Sequence, residues 1–282
     1  MKKSIGILIF VILAFTACTN NTNLQKQNKQ ITKKEKVVEL LNSIETGDTK
    51  PVSYINQNKY IQHNLAVKDG VKGFAEILSK LPKGSVKVEV KRVFEDGNYV
   101  FTHTKYNFFG EKVGFDVFRF EDGKIVEHWD NLQPISKTTA NGRSQIDGTT
   151  KVENVEKTIQ NKLLIKNFVN DILMGKNPNK ITNYISTKEY LQHNPKVKDG
   201  LSGLGEALSA LSKAGMPMIY EKNHMILGEG NFVLAISEGI FMNKKASFYD
   251  LFRIEDGKIV EHWDTIEEIL PKSKWQNSNG KF

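Results

Sequence analysis

Glu121-Asp122-Gly123-Lys124-Ile125-Val126-Glu127-His128-Trp129-Asp130 decides how this chain is read, because it returns letter for letter as Glu255-Asp256-Gly257-Lys258-Ile259-Val260-Glu261-His262-Trp263-Asp264. An earlier block, Tyr60-Ile61-Gln62-His63-Asn64, returns as Tyr190-Leu191-Gln192-His193-Asn194. Two long copies in 282 residues imply two domains that each bury a core, not a solenoid of short units. A composition of 39% hydrophobic and 26% charged residues is that of a soluble globular protein.

Within the repeated stretch, Asp122-Gly123 is the signature of a two-residue hairpin turn whose central residues both need positive φ. Counting outward from it pairs Glu121 with Lys124, Phe120 with Ile125, Phe118 with Glu127 and Asp116 with Trp129. Directly opposed residues share a face. One face therefore carries Asp116, Phe118, Phe120, Ile125, Glu127 and Trp129, and the other carries Val117, Arg119, Val126, His128 and Asp130. The first face is large and apolar and is expected to meet the helices and line a pocket. Its carboxylates are then candidates for proton transfer, since burial raises a carboxyl pKa toward the useful range. They equally suit hydrogen bonding to backbone at the open end of a sheet. The second copy repeats the face with Asp250, Phe252, Ile254, Ile259, Glu261 and Trp263.

Upstream, Val37, Leu40, Leu41 and Ile44 fall at helical spacing and Gly47 supplies a stop, and Val71, Phe74, Ile77, Leu78 and Leu81 form a second amphipathic pattern ending at Pro82. Beyond Gly84 the period becomes two and marks four strands. Helices followed by an antiparallel meander predict an α+β domain in which a curved sheet wraps its helices around a pocket. The expected organisation is domain 1 over 33–134, a linker over 135–151, domain 2 over 152–271 and a polar tail over 272–282.

His63 and His193, each between amides in a loop, suit groups pointing into a pocket mouth, or capped turns. His103 lies on a strand, and its counterpart in the second copy is Ile236. His128 and His262 fall opposite Asp116 by the strict count and are expected at the surface or an interface. No tight metal-ligand spacing, Gly-rich phosphate loop or nucleophile elbow is present, so no metal and no cofactor are expected.

Met1-Lys2-Lys3 and the apolar run Ile5–Phe15 read as an export signal too short to span a bilayer. Phe15-Thr16-Ala17-Cys18 has the pattern of a lipoprotein signal over residues 1–17, with the chain's sole cysteine, Cys18, as the lipidated residue. Residues 18–32 form a polar tether. The formal charge of +8 falls to about +2 for the two domains once leader and tether are set aside, which argues against nucleic-acid binding. The expected location is the bacterial cell envelope, outside the cytoplasm, held to a membrane by lipid at Cys18.

Tyr60-Ile61-Gln62-His63-Asn64 with Asp69-Gly70, and the run from Asp116 to Asp130 with Gln133-Pro134, resemble the SnoaL-like polyketide cyclase family of the nuclear transport factor 2-like superfamily. The resemblance is strongest to the branch of SnoaL-like aldol-condensation enzymes. It implies two tandem cone-shaped α+β barrels, each with an apolar cavity, and cofactor-independent chemistry. An Asp on the third strand would act as general acid/base on an enolisable substrate, matching Asp116 and Asp250, accompanied by a strand histidine that matches His103. His63 and His193 are further candidates, with Phe118, Glu127, Trp129, Phe252, Glu261 and Trp263 as pocket residues. The expected partner is a small hydrophobic molecule. Besides the enzyme, a lipoprotein that captures such a molecule without chemistry fits the sequence. So does a pseudo-dimer paired through the faces carrying Val126/His128 and Val260/His262.

Overall fold

The structure is a computed structural model that describes residues 30–82 and 84–282. The leader, Cys18 and the tether up to residue 29 lie outside the described residues. Among those described, no helix is long and apolar enough to cross a membrane.

Helix α1 (Lys33–Thr46) starts at a reciprocal capping box between Thr32 and Glu35 and ends, as its sequence predicts, on Gly47, which is in the left-handed conformation. Val37, Leu40 and Leu41 are its buried stripe. After β1 (Ile61–Gln62) and α2 (Gly70–Lys80) come the strands of the meander, β2 (Lys87–Asp96), β3 (Tyr99–Asn107), β4 (Glu111–Glu121) and β5 (Lys124–Pro134). The sheet order is β1-β5-β4-β3-β2, with β1 parallel to β5 and the other pairs antiparallel. Domain 2 repeats this with α3 (Thr158–Phe168), a π turn over Val169–Leu173, α4 (Ile181–Tyr184), β6 (Leu191–Gln192), α5 (Gly200–Lys213), β7 (Met218–Glu229), β8 (Phe232–Phe241), β9 (Lys244–Glu255) and β10 (Lys258–Glu268). Its order, β6-β10-β9-β8-β7, is the same.

The Asp122-Gly123 turn forms as expected, with φ of 47° and 73°, and Glu121 pairs with Lys124 and Phe120 with Ile125. The register then slips. Arg119 pairs with Glu127, so Val126 is an extra, bulged residue, and Val260 is its equivalent in domain 2. One inserted residue in a period of two exchanges the faces of everything beyond it. Asp116 thus stands opposite Asp130 and Phe118 opposite His128. The helix-covered, concave face carries Gly114, Asp116, Phe118, His128, Asp130 and Leu132. The convex face carries Phe115, Val117, Arg119, Glu127 and Trp129.

The two convex faces pack against each other around Phe94, Phe101, Phe115 and Val117 from domain 1 and Phe232, Leu234, Tyr249 and Leu251 from domain 2. The contact is reciprocal: Leu132 N donates to Glu267 while Ile266 N donates to Gln133, as in a two-fold pair. The domains do pair within the chain, but through these convex faces and not through His128 or His262, which the bulge turns inward. Both connecting segments cross over. The linker after β5 lies on domain 2, where Asn141 donates to Gln192 O and Asp199. The tail after β10 lies on domain 1, where Asn279 donates to Gln62 O and Asp69.

Candidate functional site

The concave face of domain 1 encloses a cavity of about 250 Å³. Leu40, Leu41 and Ile44 of α1, Phe74, Ile77 and Leu78 of α2, and Phe108, Phe118 and Leu132 of the sheet give it apolar walls. Its polar groups converge at one place: Asp116, His128, Asp130, Tyr106, Gln62 and Asn64. All but Asn64 are buried.

Their hydrogen bonds specify where protons sit. Gln62 Oε1 accepts from the Asn64 amide at 2.8 Å and therefore faces His128 Nδ1, 3.0 Å away, as an acceptor. His128 keeps a proton on Nδ1, and its Nε2 stands 3.1 Å from Asp116 Oδ1. That contact is a hydrogen bond only if a further proton is shared between imidazole and carboxylate. The Tyr106 hydroxyl donates to the other oxygen, Asp116 Oδ2, at 2.6 Å. Burial, and then the charge of Asp116, push the Tyr106 pKa well above 10, so it stays a donor. Asn64 Nδ2 donates to Asp130 at 2.6 Å.

Domain 2 rebuilds the network with Gln192, His262, Asp250, Asn194 and Asp264. Burial opposes a charged His262, but the hydrogen bond to Asp250 and the fields of Asp264 and Asp250 outweigh it and raise its pKa. Burial, reinforced by Asp250, also raises Asp264. The tyrosine arrives from a different strand. Tyr106 on β3 pairs with Val88, whereas in domain 2 the β3 position is Gly239 and its ladder partner on β7 is Tyr220, whose hydroxyl lies 3.1 Å from Asp250 Oδ2. At matched positions domain 2 is also bulkier: Phe168 stands for Leu40 and Phe248 for Gly114. Phe248 stacks on Tyr220 at 4.3 Å in a cluster with Leu173 and Met174.

Other residues singled out in the sequence lie elsewhere. Phe118 lines the cavity, and Phe252, its equivalent, is buried against His262. His63 is on the convex side, stacked on Trp129 at 4.7 Å and bonded to Glu127, which in turn holds Arg119. His193, Trp263, Glu261 and Arg253 repeat that arrangement. Hydrogen bonds from His193 and Arg253 overcome burial and keep Glu261 below the usual carboxylate range. None of these eight belongs to a cavity face, and His63 and His193 face no pocket mouth. His103 is likewise interdomain: Arg92, stacked over Trp263 at 4.3 Å, bonds its Nδ1. Burial and the Arg92 charge drive its pKa well below 6.5. Ile236 fills the matching position in the shared core, so the His103/Ile236 difference reflects the interface. The residues that reading missed, His128 and Asp130, carried one signal. Without a bulge Arg119 faces Val126; with one it faces Glu127, an opposite charge.

Two clusters among the described residues could hold a cation, Asp116/His128/Asp130 and Asp250/His262/Asp264, each with ligand atoms within 4.8 Å of one another. His128 Nε2 and the Tyr106 hydroxyl take up the two oxygens of Asp116, whereas Asp130 Oδ1 and Asp264 Oδ1 are buried without a hydrogen-bond partner.

Residues 37–128, from α1 to the cavity histidine, match the family model of the SnoaL-like domain. This segment is similar to a SnoaL-like domain. Strands β2 to β4 and the first half of β5 lie within that match, and Asp130 and Leu132 of the cavity face lie beyond it. Among solved structures, a nuclear transport factor 2-like protein of unknown function from Cytophaga hutchinsonii is 20% identical over 38% of this chain and 95% of its own, with a TM-score of 0.33. An LEH-like epoxide hydrolase of Mycobacterium tuberculosis is 21% identical over 36% and 81%, TM-score 0.31. A candidate polyketide cyclase from Bacillus cereus is 16% identical over 35% and 72%, TM-score 0.32. No curated protein matches the sequence.

Proposed function

We propose that domain 1 is a cofactor-independent acid/base catalyst of the cyclase or aldol type, acting on a small, apolar, enolisable carbonyl compound. The observation that carries this is the 3.1 Å approach of His128 Nε2 to Asp116 Oδ1 on the polar side of an otherwise apolar cavity. With the proton of that contact on His128, Asp116 is a carboxylate in a water-poor site and can take a proton α to a carbonyl. The imidazolium and the Tyr106 hydroxyl are the donors beside it for a developing enolate oxygen. The walls select an apolar substrate of modest size. Phe248 and Tyr220 occupy the matching space over Asp250, so the reading assigns turnover to domain 1 and a supporting role to domain 2.

We also propose that the domains work outside the cytoplasm, tethered by lipid at Cys18, on the strength of the leader pattern. Deuterium wash-in at the α-carbon of 2-tetralone, followed by proton NMR, tests the catalytic reading. The wild-type chain is expected to accelerate exchange, and D116N to lose it by about 10²–10⁴-fold. Saturable binding of the ketone without exchange would instead make the protein a ligand carrier.

A further inference from the structure

The two residues that orient the acid/base groups, Gln62 and Asn64, sit on a segment with little structure of its own: a two-residue strand and the loop that follows. Four backbone carbonyls of that segment are capped by the tail of the other domain. Asn279 Nδ2 donates to Gln62 O at 3.0 Å, Asn277 Nδ2 to Asn64 O at 2.8 Å and Val67 O at 2.9 Å, and Gln276 N to Leu65 O at 2.8 Å. Asn279 also holds Asp69, which binds the Gln62 amide. The residues so gripped position His128 through Gln62 and Asp130 through Asn64.

Lys281 ends this strap. Only 5% exposed, it donates to Asp130 O and to Glu267, both at 2.8 Å, and stands 3.8 Å from Asp130 Oδ1. The linker strap on domain 2 matches the asparagine but not the lysine. Asn141 repeats the contacts of Asn279, whereas Arg143, two residues on, pairs with half-exposed Asp199. The ammonium beside the second carboxylate is therefore specific to the domain with the cavity.

We propose that the strap Gln276–Lys281 completes the site of domain 1, with Asn277, Asn279 and Lys281 as positioning residues for Asn64, Gln62 and Asp130. The proposal deepens the catalytic reading and rests on it only for the effect on turnover. Asn277 and Asn279 fix the backbone that aims the imidazole. Lys281 supplies a cation beside the place where two carboxylates, Asp116 and Asp130, stand opposite each other.

Hydrogen exchange by mass spectrometry on the full chain, with and without N277A/N279A, tests the strap with no substrate. Amides of residues 61–69 are expected to exchange at least tenfold faster, while β4 and the equivalent segment 191–199 keep their protection. Unchanged exchange over 61–69 overturns the proposal. If the double variant loses protection throughout β4, the single variant N277A decides by the same criterion. For Lys281, K281M is expected to lower the wash-in kcat for 2-tetralone at least tenfold at near-constant KM, and K281R to restore it. Equal rates in K281M and the wild type remove Lys281 from the proposal. Should the wild type show no wash-in, the catalytic reading fails, and the exchange result still stands for or against the strap.

Discussion

Replacing Phe248 by alanine is expected to open space over Asp250 in domain 2, matching the cavity of domain 1. The side chain is 1% exposed, stacks on Tyr220 at 4.3 Å and packs against Leu173 and Met174. Deleting a buried phenylalanine ring costs about 3–5 kcal/mol, and the lost aromatic stack places this site toward the upper end. Against a total stability of about 5–15 kcal/mol, that is a large fraction, equivalent to a fall in Tm of roughly 10 °C for a unit of this size. Differential scanning calorimetry would read the loss. Isothermal titration with 2-tetralone would read the gain, one molecule bound per chain in the wild type and two in F248A. Ligand at about 100 times its Kd should then return about 2.7 kcal/mol per occupied site. An unchanged Tm would refute the packing argument. A folded F248A that still binds one ketone would refute the idea that this ring is what closes domain 2.

Three further outcomes follow from the geometry. His262 has a folded-state pKa above 6.5, so it binds its proton more tightly folded than unfolded. Its contribution is complete below about pH 6.5 and is lost as the pH rises through the folded value. Asp264, raised above 3.8, acts in the same sense from about pH 4 upward, so urea unfolding should show stability falling as the pH rises, with the His262 part lost above about pH 6.5 and removed in H262Q. Arg92→Met strips the donor from the carbonyls of Ile146, Asp147 and Thr149 and from His103 Nδ1. A loss of about 3–5 kcal/mol is expected, and an unaltered denaturation midpoint would count against it. Exhaustive treatment with a chelator should leave the 2-tetralone wash-in rate unchanged, whereas recovery on adding a divalent cation would point to metal at Asp116, His128 and Asp130.

The helices, the meander and the hairpin turn could be read from the sequence because each rests on local chemistry: the spacing of Val37, Leu40, Leu41 and Ile44 with the Gly47 stop marks α1, and Asp122-Gly123 turns the β4–β5 hairpin. Asp116 and Phe118, before the turn, were placed on the cavity face. Glu127, Trp129, His128 and Asp130, after it, were each put on the wrong face by the same single-residue slip. A bulge at Val126 leaves no mark in hydrophobicity, because Val126 is as apolar as its neighbours. Its trace lay in charge pairing, Arg119 with Glu127 and Arg253 with Glu261. The places of His63, His103 and His193 were beyond local reasoning, since the second domain and the two crossing segments bury them.

The crossed segments carry a consequence for how such a chain can be cut. Because each domain's exit segment lies on the other domain, and Leu132/Glu267 mirrors Ile266/Gln133, the covalent link is not what defines the pair. A half-chain ending near Gly148 would own both an arm and a groove for its twin's arm. Two such halves have the geometry of a closed, arm-exchanged homodimer.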